Sequence, residues 1–306
     1  MTSLLDKQRT DATPTPAAPV ASQPARPRRR RRPSPSVLVA GVFVVVLLVA
    51  VAVPQLFTAV DPYRTVPTDG LKAPSAEHLF GTDRLGRDIF SRVIHGARYS
   101  ILIGLSATAI AVVAGSILGL ISGLSGRLIP GRLGLLVDEA LGRVFDVISS
   151  FPGVLLAMVV VTFAGPGVQN IAVAIGIASI PMYGRVVRSQ TLLVTRADFV
   201  THAAVYGRTR SRVVIEHVLP NVLVAIPVLA AIDVGASILA VSGLSFLGLG
   251  PQAPIPEWGV MLAESRDVLR IAWWGGLFPG LFITASVIAL TVLGRALQRH
   301  IDGRNS

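Results

Sequence analysis

Six long apolar runs, parted by short polar stretches, give this chain its pattern. Val37 to Val60 carries no charge and is long enough to cross a hydrocarbon core, which takes about 20 helical residues. Its apolar stretch exceeds that of a cleaved signal peptide, so it predicts an anchor that stays. Tyr99 to Gly126 is a second uncharged run. There Gly115, Gly119 and Gly123 recur every fourth residue, which places small side chains on one helix face and predicts close helix packing. Leu135 to Asp146 carries Asp138, Glu139, Arg143 and Asp146 and predicts an interfacial helix leading into a third span from about Val147 to Ala164. Gly165, Pro166 and Gly167 then interrupt the helix. A fourth span follows from about Ile171 to Tyr183, prolonged by a polar turn with Arg185 and Arg188. Val222 to Leu249 and Ile271 to Gly294 complete the set. The pattern predicts an all-α polytopic membrane protein of about six transmembrane helices.

The polar intervals divide the rest. Residues 1–36 are rich in Pro, Ala, Thr and Ser and end in an arginine run, with too little apolar surface to order themselves. Arginines beside a span stay on the cytoplasmic side. Arg127, Arg132, Arg295 and Arg299 fall on that side when both termini are inside. The connector 61–98 is then extracytoplasmic, the five-helix core runs over 99–297, and 298–306 is a cytoplasmic tail. Within the connector, Gly81, Thr82, Asp83, Gly86, Arg87, Asp88 and Arg92 alternate opposite charges, as expected of a neutralised, hydrogen-bonded cap. Residues 198–221 form a basic interruption: Asp198 caps a short helix, Gly207 ends it, and a second helix beginning near Ser211 stops at Pro220. Trp258, Trp273 and Trp274 suit a membrane interface, and Pro251, Pro254 and Pro256 forbid a helix through that loop.

Composition narrows the chemistry. The 306 residues are 52% hydrophobic and 15% charged, against about a quarter charged in soluble domains. The net charge of +11 sits in the tail and the short loops, a pattern of membrane orientation rather than of a nucleic-acid groove. No cysteine is present, which removes disulfides, thiolate metal sites and cysteine nucleophiles. The five histidines form no H-E-x-x-H pair. Neither Lys7 nor Lys72 follows a glycine, so the chain has no phosphate-binding loop and no nucleotide motor of that type.

Two strings go further. FGTDRLGRDIFSRVIHGARYS at 80–100 resembles the GTD-x-x-GRD-x-x-SR-x-x-x-G-x-R-x-S signature of the C-type permeases of dipeptide, oligopeptide and nickel ABC importers. LSFLGLGPQAPIPEWGVMLAESRDVL at 244–269 is similar to the same family. The loop at 198–221, with Ala203, Gly207 and HVLPN at 217–221, resembles the family's cytoplasmic coupling loop. There the family usually has glutamate where this chain has Thr201, and alanine at His202.

The resemblance implies a type I ABC importer permease fold in the cell membrane, and a subunit that is not itself an enzyme. Its partners would be a second, sister permease in a heterodimer, two ABC ATPase subunits holding ATP and Mg, and an extracytoplasmic binding protein. The lipid bilayer surrounds it, and no nucleic acid is involved. No cofactor is bound by this chain. Asp198, Phe199, Thr201, His202, Ala203, Gly207, His217, Leu219, Pro220 and Asn221 would form the ATPase-coupling loop. Di- and oligopeptides are the expected cargo, with nickel or another small solute as the alternative. An ion-coupled carrier would need more than one deeply placed charge, and only Asp233 lies deep in an apolar run. An acid there either lines the pathway and meets a substrate amine or fixes helix packing as a hydrogen-bonded carboxyl; packing is the expected role.

Overall fold

A computed structural model describes residues 34–129, 131–205 and 208–305. The arginine-rich tail lies almost wholly outside the described residues, as do Tyr206 and Gly207. From Ser34 onward the chain is one compact unit. Among the described residues there is no strand, only an isolated bridge between Thr82 and Asp88.

Helix α1 (Pro35–Ala52) ends earlier than its apolar run, because Pro54 opens a tight turn at Pro54–Leu56. Helix α2 (Ile89–Leu128) is 40 residues long. The connector therefore stops at Asp88, ten residues before its expected end. The Asp88 carboxylate caps α2 by accepting from Ser91 N at 2.7 Å, so the second half of the signature string is helical.

Helices α3 (Arg132–Ser149) and α4 (Gly153–Ala164) meet at a 90° bend around Pro152. The expected interfacial helix and third span are thus two arms of one broken pair. Helix α5 (Val168–Thr195) runs for 28 residues through Pro181, well beyond Tyr183. Helix α9 (Ile226–Leu244) continues into a widened turn at Ser245–Leu249. Helices α10 (Trp258–Ser265) and α11 (Trp274–Asn305) close the fold. Among the described residues, five helices are long and apolar enough to cross a membrane, and six if the bent pair counts as one span.

The predicted glycine face on α2 is the main seam. A Cβ on Gly119 would stand 2.5 Å from the Gly184 carbonyl oxygen of α5, so only glycine allows these backbones to meet. Phe145 of α3 fills the matching gap over Gly184. Ile238, Trp258, Val93 and Ile283 fill the core at one end, and Val187, Val200, Val213 and Val218 fill it at the other.

Two of the expected interfacial tryptophans are core residues instead. Trp258 is fully buried and donates from Nε1 to the Val93 carbonyl at 2.9 Å. Trp274 donates to the Thr82 carbonyl at 3.1 Å, and only Trp273 is exposed. A buried indole needs a partner for its N–H, and both found a backbone carbonyl.

Candidate functional site

Three polar constellations stand out, at the two ends of the bundle and in its middle. The first is the connector cap. Gly81 and Gly86 take positive φ, and a Cβ on Gly86 would fall 1.9 Å from the Val66 carbonyl oxygen. This tight turn presents Asp83 to two arginines. Arg87 Nε donates to Asp83 Oδ2 at 2.6 Å, and Arg92 Nη1 donates to the same oxygen at 2.5 Å. Glu264 of α10 completes the set, accepting from Arg87 at 3.0 Å and from Arg92 at 2.7 Å. Arg92 is 1% exposed, so two carboxylates balance two desolvated guanidinium groups. A cavity of about 280 Å³ lies beside them.

Asp88 takes no part in that network. Beyond capping α2, its Oδ2 lies 3.0 Å from His78 Nδ1. Of the connector acids expected to neutralise the cap, Asp83 serves the arginines and Asp88 does not; the second partner is Glu264, 177 residues beyond Arg87. Elsewhere in the connector, hydrogen bonding to Lys72 holds the Asp69 carboxyl below its ordinary value. Burial, together with the neighbouring Tyr99 hydroxyl, pushes the Tyr63 phenol up to about 12. Glu257 was also missed by sequence reasoning. It is buried, accepts from Ser100 Oγ at 3.0 Å and caps α10 through Val260 N at 2.9 Å.

The second constellation surrounds Asp233 on α9. Tyr183 of α5 donates its hydroxyl to Asp233 Oδ2 at 3.1 Å, and Thr108 Oγ1 lies 3.2 Å from Ser237 Oγ. Three helices thus share one polar layer. Nearer the other end, Arg188 of α5 grips Asp138 of α3 with two bonds of 2.6 and 2.7 Å, and Ser122 of α2 donates to the same carboxylate. On the predicted interfacial helix Asp138 thus turns toward α2 and α5. Glu139 is exposed instead, beside exposed Arg143.

The third is the basic interruption. Helix α6 (Asp198–Val205) buries Val200 and leaves Phe199 and His202 exposed, with Ala203 half-buried. The Thr201 side chain and Gly207 lie outside the described residues. The second segment starts at Arg210 and does not stop at Pro220. It passes from α7 (Arg210–Val213) through a five-residue widened turn at Val214–Val218 into α8 (Leu219–Leu223). Pro220 sits in the first turn of α8, where its missing N–H costs little.

Val213 and Val218 pack against Val200, Leu124 and Val187, while Ile215 is exposed. His217 meets the Phe199 ring edge-on at 6.4 Å, and Asn221 donates to the His217 carbonyl at 2.7 Å. Leu219 is half-buried. Arg212 donates to Glu216 at 2.6 Å, which holds the Glu216 carboxyl below its usual range. Arg210 reaches the Arg127 carbonyl at 3.2 Å and ties the knob to the end of α2. Leu193, Arg196, Phe199 and Asn221 line an open groove of about 450 Å³.

Among the described residues no group of three His, Cys, Asp or Glu could hold a metal ion. Residues 115–306 match the model of the family described as "Binding-protein-dependent transport system inner membrane component". The dipeptide transport system permease protein DppC of Alkalihalophilus pseudofirmus is 41% identical over 256 residues, spanning 84% of this chain and 81% of that protein. The probable D,D-dipeptide transport system permease protein DdpC of Escherichia coli is 38% identical over 86% of this chain and 85% of its own length. The glutathione transport system permease protein GsiD of Pectobacterium atrosepticum is 37% identical over 86% and 84%. Among solved structures, the MetNI methionine ABC transporter in its inward-facing form matches with a TM-score of 0.56 at 15% identity, over 69% of this chain and 95% of that one.

Proposed function

Because this chain belongs to the family of binding-protein-dependent transport system inner membrane components, we propose that it forms half of a peptide-import pathway. As a family member with five long apolar helices it is a multi-pass membrane protein and a transport component, with no catalytic role. The observation that carries the peptide reading is the set of dipeptide and glutathione permeases at 37–41% identity across more than four-fifths of the chain.

In this reading a sister permease forms the other half, two ATPase subunits bind ATP and Mg, and a binding protein delivers the peptide. Both termini lie in the cytoplasm, with the knob at 198–221 beside them and the connector cap outside. Exposed Phe199 and Ile215 and the groove beside them offer an ATPase an apolar docking surface. The tie from Arg210 to Arg127 and the shared packing of Val200, Val213 and Val187 pass the knob's motion into α2 and α5. The connector cap locks α2 to α10 at the far end through Glu264.

The test is ATP hydrolysis by the purified complex in lipid, measured with a panel of dipeptides, oligopeptides, glutathione and nickel presented by the binding protein. Stimulation by a peptide supports the proposal. Stimulation by nickel alone would overturn it.

A further inference from the structure

The carboxylate of Asp233 has a cavity in front of it and no cation beside it. The residue is 7% exposed, and its polar partners are the hydroxyls of Tyr183, which donates at 3.1 Å, and Thr108. Among the described residues no basic group lies within ion-pair distance of it. It lines a cavity of about 230 Å³ between α4, α5 and α9, together with Ala157, Ser179, Ser237 and Ala240. The rim residues Gly153, Val154 and Ala236 are exposed, whereas Asp233 and Ser237 are buried.

An ionisable acid opening onto this face cannot meet hydrocarbon without a large penalty, so the face belongs against water or protein. Small residues and Val154, Ile175 and Leu244 form apolar walls, while Asp233, Ser179 and Ser237 supply the acceptors for a compact polar group. A primary ammonium has three donors and no acceptor. Asp233 and the serine hydroxyls match it, and one positive charge neutralises the site.

We propose that this cavity is a subsite for the α-ammonium group of the transported peptide, with Asp233 as its counter-ion and Tyr183 as the residue that positions the carboxylate. The inference rests on the peptide-import reading above. Asp233→Asn keeps the size and the acceptor oxygen for Tyr183, so the fold is preserved while the charge is lost. Asp233→Glu keeps the charge.

The experiment measures ATP-driven uptake into proteoliposomes by the full complex. It compares a dipeptide with its des-amino analogue, each at a concentration that saturates the binding protein. The wild type should carry the dipeptide at least tenfold faster than the analogue. Asp233→Asn should erase that preference by slowing the dipeptide alone, and Asp233→Glu should restore most of it. If Asp233→Asn leaves the preference intact, or slows both compounds equally, Asp233 is a packing residue and the inference fails while peptide import stands. If the wild type carries neither compound yet imports another solute, the functional reading itself is overturned, and the subsite with it.

Discussion

Asp88 and Asp83 are five residues apart, similar in burial, and placed in different chemistry. Asp88 caps α2 and faces His78, whereas Asp83 holds two buried guanidinium groups. Losing a cap costs about 1–2 kcal/mol, whereas leaving buried charges unpaired costs about 3–5 kcal/mol. Asp83→Ala should therefore lower the Tm of the purified complex clearly more than Asp88→Ala, and Glu264→Ala should fall with Asp83→Ala. Equal losses for Asp88 and Asp83 would show that the network does not divide as described. The alternating charges of GTDRLGRD announced an ion-paired cap. Glu264 could not be assigned to it from sequence, because pairing over 172 residues, from Arg92, is set by where α10 folds back. Tyr183 as the partner of Asp233 was hidden for the same reason.

Helix periodicity located the spans well and their ends poorly. The glycines at 115, 119 and 123 marked the α2–α5 seam, since nothing but backbone fits there. Gly119→Leu should drive the two helices apart and abolish recovery of folded complex in detergent; normal yield would contradict that seam. Helix ends depend on caps and on what lies beyond them, so Asp88 moved the start of α2 and Pro152 set a 90° bend where the expected interfacial helix meets the third span. Pro220 misled most, since a proline in the first turn of a helix begins it rather than ends it. The knob yields its own test. Phe199→Asp places a charge on its exposed apolar surface, and Gly207→Trp adds bulk where its two helices join. Each should let the permease insert while the ATPase no longer co-purifies or no longer responds to substrate. The proposed docking rests on exposed apolar Phe199 and Ile215, so Thr201→Glu should change little. Wild-type co-purification and stimulation in Phe199→Asp and Gly207→Trp would remove the knob from the coupling path.

Arginine distribution and the six apolar runs predict one orientation for the whole molecule, and the lack of cysteine makes it simple to check. A single cysteine at Ser75 or Gln252 should react with an impermeant thiol reagent from outside the cell, and one at Thr209 should not. Labelling at Thr209 from outside would invert the topology and place the knob away from any cytoplasmic ATPase. Cargo was legible only through resemblance, because in the proposed heterodimer the lining residues would be divided between two chains. The most direct measurement is uptake of a labelled dipeptide into proteoliposomes holding the two permeases and two ATPases, with the binding protein outside and ATP within. Uptake should require ATP, the binding protein and this chain together, and should vanish when any one is left out. Dipeptide accumulation that continues without ATP, or without this subunit, would contradict the account.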